Sequence, residues 1–230
     1  MRRMLAAGAA LCLSATGPAS AVVLVETSDP GFYNDSIGTV LNLSNGQPDD
    51  ANQPFPVEDD SDTEFPTQPD ISAADEALGN WLTDPLNLNS NWEFLNPVPN
   101  SWPLGTEVAV IYQFDTLGAT NVQASFGVDN GIFVWLNGVY LFGAREAGGF
   151  ALGEYNIDIG DLPEGTHFLQ LLLEDHGSSN GYAVRITADS FIPGPPPNQD
   201  PSDPTAVPLP FSMGLLLGGL TGLGLLRPWR

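Results

Sequence analysis

Apolar and polar residues alternate with a period of two through most of the chain between residues 108 and 188. Such alternation, with many β-branched and aromatic residues, is typical of β-strands. The pattern predicts strands at residues 108–114, 122–128, 132–136, 139–142, 155–159, 167–173 and 182–188. Because turn residues and no crossover helices separate them, we expect an all-β fold, an antiparallel β-sandwich.

Local signals add turns to this pattern. Asn137-Gly138 tolerates the positive φ angles of a two-residue type I′ turn and predicts a tight hairpin. Residues 161–165 predict a second turn, and residues 72–78 a turn or two of helix. We also expect strand-like structure from Leu78 onward. Residues 45–70 hold five prolines, Pro48, Pro54, Pro56, Pro66 and Pro69, and an acidic cluster at 58–64, which predicts a loop.

The N-terminus predicts export. Arg2 and Arg3 precede an apolar stretch, and Ala19-Ser20-Ala21 is a small-residue cleavage site, so residues 1–21 read as a signal peptide. Cleavage there removes Cys12 and leaves no cysteine for a disulfide. We therefore expect a β-sandwich domain at residues 22–192, followed by a proline-rich linker at 193–205.

The C-terminal tail, residues 206–230, has three parts. A short motif comes first, an uncharged apolar segment follows at 211–226, and two arginines lie at the end. The segment is slightly shorter than the ~20 residues that comfortably span a bilayer. The tail resembles PEP-CTERM sorting signals of the VPLPA variant found in Gram-negative bacteria; the family has Ala where this chain has Phe211. The motif comprises Val207, Pro208, Leu209 and Pro210. The resemblance implies transient inner-membrane anchoring, processing by an exosortase-type protease, and delivery to the envelope, cell surface or extracellular matrix. A plain transmembrane anchor is the alternative.

The charge balance narrows the partners. The chain has 28 acidic and six basic residues and no lysine, and four of the six arginines lie in the two predicted signals. Only Arg145 and Arg185 remain in the exported body. Such a negative field repels nucleic acid and anionic lipid, attracts divalent cations, and keeps a protein soluble.

A second resemblance covers residues 107–189. A strand that ends in Asn137-Gly138, a Gly-rich loop at 148–150, an Asp-Leu turn at 161–162 and a strand after Gly165 occur in this order. This order resembles galactose-binding-like jelly rolls, and it implies that fold without implying a ligand site. Asp129-Asn130-Gly131 is also similar to the Asp-Asp-Gly loop of calcium-dependent, protective-antigen-type sugar-binding modules, with Asn130 in place of the second Asp.

Calcium is the one cofactor that the acidic loops suggest, since it prefers carboxylate and carbonyl oxygens. If the strands pair as in the resembled fold, two loops come together and supply Asp129, Asn130, Glu174 and Asp175. A solvated acidic face is the alternative.

Aromatic residues suggest sugar binding. Trp92 and Trp102 stand in polar, loop-like contexts and are candidates for stacking on pyranose rings, whereas Trp81 and Trp135 are expected to fill the core. For Trp92 and Trp102 a structural role is the alternative.

No catalytic residue is predicted. The only histidines are His167, expected to face solvent or a sheet edge, and His176, which follows Glu174-Asp175 in a loop. Asp175, His176 and Ser178 or Ser179 are triad residue types without the fixed geometry that a triad needs. We therefore expect a non-catalytic surface or matrix protein, with polysaccharide as its candidate ligand. A calcium-stabilised structural protein and a hydrolase of envelope polysaccharide are the alternatives.

Overall fold

The computed structural model describes residues 21–41, 63–146, 149–175 and 179–193. The predicted signal peptide up to residue 20, most of the 45–70 loop, the linker after residue 193 and the sorting tail lie outside the described residues. Within the described part of the chain, no helix is long and apolar enough to cross a membrane.

The described residues are mostly antiparallel β-sheet with little helix, which confirms the predicted all-β class. The strands are β1 (Val22–Glu26), β2 (Gly31–Gly38), β3 (Thr63–Phe65), β4 (Glu93–Leu95), β5 (Glu107–Leu136), β6 (Val139–Glu146), β7 (Tyr155–Leu162), β8 (Gly165–Glu174), β9 (Gly181–Ala188) and β10 (Ser190–Pro193). A 3₁₀ turn (Ser72–Ala74) and the short helix α1 (Asp75–Leu78) lie between β3 and β4, which confirms the predicted helical turns.

The long strand β5 curls the sheet into two layers. Its residues 107–116 and 131–136 both pair with β8, whereas residues 119–129 pair with β7 and β9 instead. The first sheet therefore runs β4, β2, β5 (107–116), β8, β5 (130–136), β6, β3, and the second runs β1, β9, β5 (119–129), β7. Gly118, with φ 134°, lies where β5 leaves the first sheet, a conformation that favours glycine.

The inner core lies between the two sheets. Alternate residues of β5, β8 and β9 point into it, and its fully buried members include Val108, Val110, Val122, Ala124, Phe126, Val128, Ile132, Val134, Leu169, Leu171, Leu173, Val184 and Ile186. One buried polar pair interrupts it: the Tyr112 and Tyr182 hydroxyls lie 2.6 Å apart, and Tyr112 donates to the Thr27 carbonyl at 3.1 Å. Burial raises the pKa of both hydroxyls above the usual range.

The opposite face of the first sheet is also buried, beneath an outer cluster. This cluster joins sheet residues to the segment between β3 and β4, and consists of Ile37, Ala74, Leu78, Trp81, Ala109, Ile111, Phe133, Trp135, Phe168 and Leu172. A strand that is buried on both faces reads as a continuous apolar run, as Leu171-Leu172-Leu173 does. The predicted core positions of Trp81 and Trp135 are confirmed.

The predicted hairpin is confirmed. Leu136 pairs with Val139, and Asn137 and Gly138 have φ angles of 53° and 75°. A Cβ on Gly138 would stand 2.3 Å from the Leu82 carbonyl oxygen, so the glycine also leaves room for the segment between β3 and β4.

Three sequence expectations are corrected. The strand-like structure expected from Leu78 is absent from residues 79–106 except for β4, and β3 is a strand within the segment 45–70 predicted as a loop. Strands β1, β2 and β10 lie outside the predicted strands. His167 is 4% exposed and does not face solvent. Its Nε2 lies 3.0 Å from the Pro163 carbonyl and its Nδ1 3.1 Å from Asn137 Nδ2, so the imidazole joins the hairpin to the turn before β8.

Candidate binding surface

Helix α1 is too short to satisfy its own C-terminal carbonyls, and side chains from two other segments do so. Asn89 and Asn91 each donate to the Glu76 and Ala77 carbonyls at 3.2–3.3 Å. The buried Asn34 on β2 donates to the Ala77 carbonyl at 2.9 Å. The Asn89 and Asn91 amides fix the loop before β4 to α1, and the Asn34 amide fixes α1 to the first sheet.

Trp92 completes this cap and packs, partly buried, against the outer cluster. Its Nε1 donates to the Leu78 carbonyl at 3.1 Å, and its ring stacks on Trp81 at 5.9 Å between centroids with an interplanar angle of 26°. Trp81 in turn meets Trp135 edge-on at 5.4 Å. Trp92 is half-buried, so part of its side chain remains accessible to a ligand.

An exposed aromatic residue and a polar groove adjoin Trp92. Phe94, on the edge strand β4, is 55% exposed and meets Phe32 edge-on at 5.3 Å. The groove, of about 290 Å³, lies beside α1 and is lined by Ser36, Val40, Ala73, Glu76, Ala77 and Asn91. We call Trp92, Phe94 and the groove residues Ser36, Glu76 and Asn91 the Trp92 surface.

Sequence reasoning found Trp92 but missed the residues that hold it. Asn34, Asn89, Asn91 and Phe94 were not singled out. The alternating asparagines in Asn87-Leu-Asn-Ser-Asn-Trp92 were the available signal, since side-chain amides are common partners of open helix ends.

Trp102 does not share this arrangement, and the expectation that it stacks on sugar is corrected. It is 7% exposed, belongs to the inner core, and lies 6.4 Å from the Tyr182 ring. Its Nε1 donates to the Thr106 carbonyl at 3.0 Å, and Asn180 bonds both its backbone N–H and its carbonyl. Neither face of this indole is open to a ligand.

The four residues predicted to bind calcium are all buried, and strand register brings their segments together. Gly131 pairs with Glu174, and Asp129 pairs with Gly181. The Asp129 carboxylate accepts from Asn130 and Ser179 at 3.0 and 3.1 Å, and Asp175 accepts from the Gly105 N–H. Among the described residues, no three His, Cys, Asp or Glu side chains form a group able to hold a metal ion. The calcium site stays a prediction.

The same end of the first sheet holds a buried row of charge. On β6, Arg145 pairs with Gly131, which pairs with Glu174, which pairs with Glu107. All three charged residues are at most 2% exposed, and cross-strand neighbours point to the same face. No side chain at Gly131 separates Arg145 from Glu174. The predicted loop residues His176 and Ser178 lie outside the described residues.

Comparison with known proteins gives no family for this chain. No protein-family model matches it, and no curated protein matches its sequence. The solved structures that match part of the chain include three with low TM-scores. An anti-sigma factor domain-containing protein has 14% identity and a TM-score of 0.32 over 48% of this chain and 47% of its own. The GH31 alpha-xylosidase of Xanthomonas citri has 8% identity and a TM-score of 0.26 over 42% and 12%. A PA14 sugar-binding domain from an RTX adhesin has 14% identity and a TM-score of 0.27 over 45% of this chain and 56% of its own.

The chain thus spans roughly half or less of the length of the first two structures and just over half of the third. At TM-scores this low, the similarity establishes neither a shared fold family nor a shared function.

Proposed function

We propose that this chain is an exported, C-terminally sorted, non-catalytic protein of the cell surface or extracellular matrix that binds polysaccharide through Trp92. The observation that supports binding most strongly is the fixed, partly exposed side chain of Trp92. An indole that stacks on a neighbouring ring, is bonded through its N–H and is still partly accessible is a fixed platform for the C–H face of a sugar ring.

The rigidity of Trp92 favours binding. A side chain that is already immobilised loses little conformational entropy when a ligand stacks on it. Trp92 is held by the Trp81 ring and by the Leu78 carbonyl, and Phe94, two residues further along the chain, is a second exposed aromatic side chain. The neighbouring amide, hydroxyl and carboxylate groups supply the hydrogen bonds that orient a sugar.

The sorting part of the proposal rests on the sequence signals at the two ends. Processing by an exosortase-type protease at Val207–Pro210 would follow transient anchoring in the inner membrane by residues 211–226. We further propose that the sandwich is a galactose-binding-like jelly roll, which the motif order along residues 107–189 supports.

Polysaccharide binding is tested with the full chain, purified in mild detergent, by affinity electrophoresis through gels that contain bacterial exopolysaccharides. We expect retardation by at least one polymer. Trp92→Ala should weaken binding about tenfold or more, as removal of a central aromatic contact does. Trp92→Phe keeps a flat face and should retain most of the affinity. Phe150→Ala removes an aromatic residue that is 38% exposed on the loop over Gly127 and Gly181, and serves as the matched control.

Equal affinity of the Trp92→Ala variant and the parent chain, with both folded by circular dichroism, would contradict the Trp92 assignment. Absence of binding to every polymer would contradict the binding function itself.

Export and sorting are tested by the intact mass of the protein recovered from cells that produce both the full chain and an exosortase. We expect a chain that begins at Val22 and has lost the apolar tail. A chain that keeps residues 211–226 would identify a plain membrane anchor instead.

A calcium-stabilised surface protein without glycan binding is the second candidate. The register supports it, because Glu174 pairs with Gly131, which lies two residues from Asp129 on β5. A rise in melting temperature with calcium that Asp129→Ala abolishes would favour this candidate, since a ligand of the native state alone raises its stability.

A further inference from the structure

We infer that the Trp92 surface selects neutral polysaccharides, whose sugars carry hydroxyls but no carboxylate or sulfate, over anionic ones. The inference rests on the proposed function and adds the chemical class of the ligand. It follows from two independent properties of the surface, its charge and the direction of its hydrogen bonds.

The charge around the surface is negative. Glu76 lines the groove, Asp35 precedes the groove residue Ser36, and Glu93 follows Trp92; all three are exposed. The described residues hold two arginines. Arg145 is buried at 2% exposure, and Arg185 lies on β9 in the second sheet, 3.7 Å from Glu26. No described cation is therefore placed to pair with an anionic polymer at this surface, and the local field repels one.

The hydrogen-bonding groups of the groove are already committed as donors. Both hydrogens of the Asn91 amide are used on the Glu76 and Ala77 carbonyls. The Ser36 hydroxyl donates to Asn34 Oδ1 at 2.7 Å. What these side chains can still offer a ligand is acceptor oxygens, and an ionised glutamate such as Glu76 only accepts.

A groove of acceptors fits a ligand that brings donors. Sugar hydroxyls donate readily, and bonds to a carboxylate are the stronger, charge-assisted kind. A carboxylate or sulfate group on a polymer brings only acceptors, so it would leave oxygens facing oxygens. Charge and hydrogen-bond direction therefore exclude the same class of ligand.

The size of the groove fits a short stretch of polymer. Its volume of about 290 Å³ lies at the lower limit of small-molecule sites, which run from about 300 to 1,000 Å³. One sugar ring over Trp92 and its neighbour in the groove would occupy the surface, and the chain would continue into solvent at both ends.

The test compares neutral probes (laminarin, dextran, galactomannan) with anionic probes (alginate, polygalacturonate) against the full chain, at low and high salt and with and without calcium. We expect binding to at least one neutral polymer, little change with salt, and loss of that binding in Trp92→Ala.

Reversal of one charge sharpens the test. Glu76→Lys replaces an acceptor by a donor and should weaken neutral binding roughly tenfold while anionic polymers gain affinity. Glu164→Lys makes the same charge change in the exposed turn before β8 and should alter neither.

Three results would overturn the inference. The first is Trp92-dependent binding of an anionic polymer in preference to the neutral ones. The second is a preference for anionic polymer that appears only with calcium. Either result would leave the proposed binding function standing. Absence of binding to all five polymers would remove both the inference and the proposed function.

Discussion

The two faces of the first sheet are both buried, but they are covered in different ways. The inner face meets the second sheet, and side chains of regular strands close that core from both sides. The outer face is covered by residues 66–92, which contain one 3₁₀ turn and one short helix and whose polar backbone must find partners elsewhere. The inner core therefore contains one polar pair, Tyr112 and Tyr182, while the rim of the outer cluster is lined with asparagines.

This difference separates stability from binding. A core of interdigitated strand residues gives the fold its stability and presents nothing to a ligand. A covering segment tied down by side-chain amides leaves aromatic and polar groups at fixed positions on the surface. Trp92 and Trp102 illustrate the contrast, since the first belongs to the covering segment and the second to the inner core.

The largest effect is expected from Phe126→Ala in the inner core. Phe126 is fully buried, and truncation of a buried phenylalanine costs about 3–5 kcal/mol of unfolding free energy. Urea unfolding followed by circular dichroism measures the loss. The folded fraction should bind polysaccharide with unchanged affinity, and a parallel loss of affinity would show that the two regions are not separate.

A smaller effect is expected from Asn34→Ala beneath the outer cluster. The substitution removes the donor to the Ala77 carbonyl and the acceptor for Ser36, and loss of buried hydrogen bonds costs about 1–3 kcal/mol. Unlike Phe126→Ala, it should also weaken polysaccharide binding, because α1 and Ser36 lose their attachment. Titration calorimetry on the folded variant checks this, and unchanged affinity would contradict it.

Alkaline unfolding should report the tyrosine pair of the inner core. Burial raises the pKa of Tyr112 and Tyr182 above the ordinary value of 10.0, so their contribution to stability is complete below that pH and is lost as the pH rises through the folded-state values. Tyr33, half-buried and near Asp35, has a pKa raised to about 12, chiefly by burial. Absorbance at 295 nm should show the pair ionising only together with unfolding. Ionisation of every tyrosine before the circular dichroism signal changes would contradict burial of the pair.

The smallest effect is expected from Asn137→Gly at the hairpin. Asn137→Gly keeps the positive φ angle but removes the bonds to His167 and to the Phe168 N–H, a loss of about 1 kcal/mol. Asn137→Ala should cost about 1–2 kcal/mol more, because alanine disfavours that conformation. Thermal unfolding of both variants measures the difference, and equal stability would show that the backbone conformation has no energetic role.

The sequence was a good guide wherever local pattern decides structure. All seven predicted strands lie inside observed ones, and the Asn137-Gly138 turn is where it was expected. It was a poor guide where partners are distant. Strand β2 contains Asn34, Asp35 and Ser36 and does not alternate cleanly, and it is a strand because β5 and β4 pair with it.

Burial of both sheet faces was the other feature that periodicity did not reveal. Alternation placed His167 at solvent or at a sheet edge, whereas the turn at Pro163 and the hairpin at Asn137 enclose it. The same limit applies to the site. Trp92 and Trp102 stand in similar polar sequence contexts. What distinguishes Trp102 is its hydrogen bonds to Asn180, which is distant in sequence, and to the Thr106 carbonyl.

The most direct test of the separation between stability and binding is hydrogen exchange of the full chain with and without a bound neutral polysaccharide, read by mass spectrometry. We expect added protection in peptides that cover residues 72–95, where α1, the asparagine loop and Trp92 lie, and none in peptides that cover residues 127–131 or 174–181. Protection confined to those last two segments would place the ligand at the Asp129 end of the sandwich and contradict the assignment of the Trp92 surface.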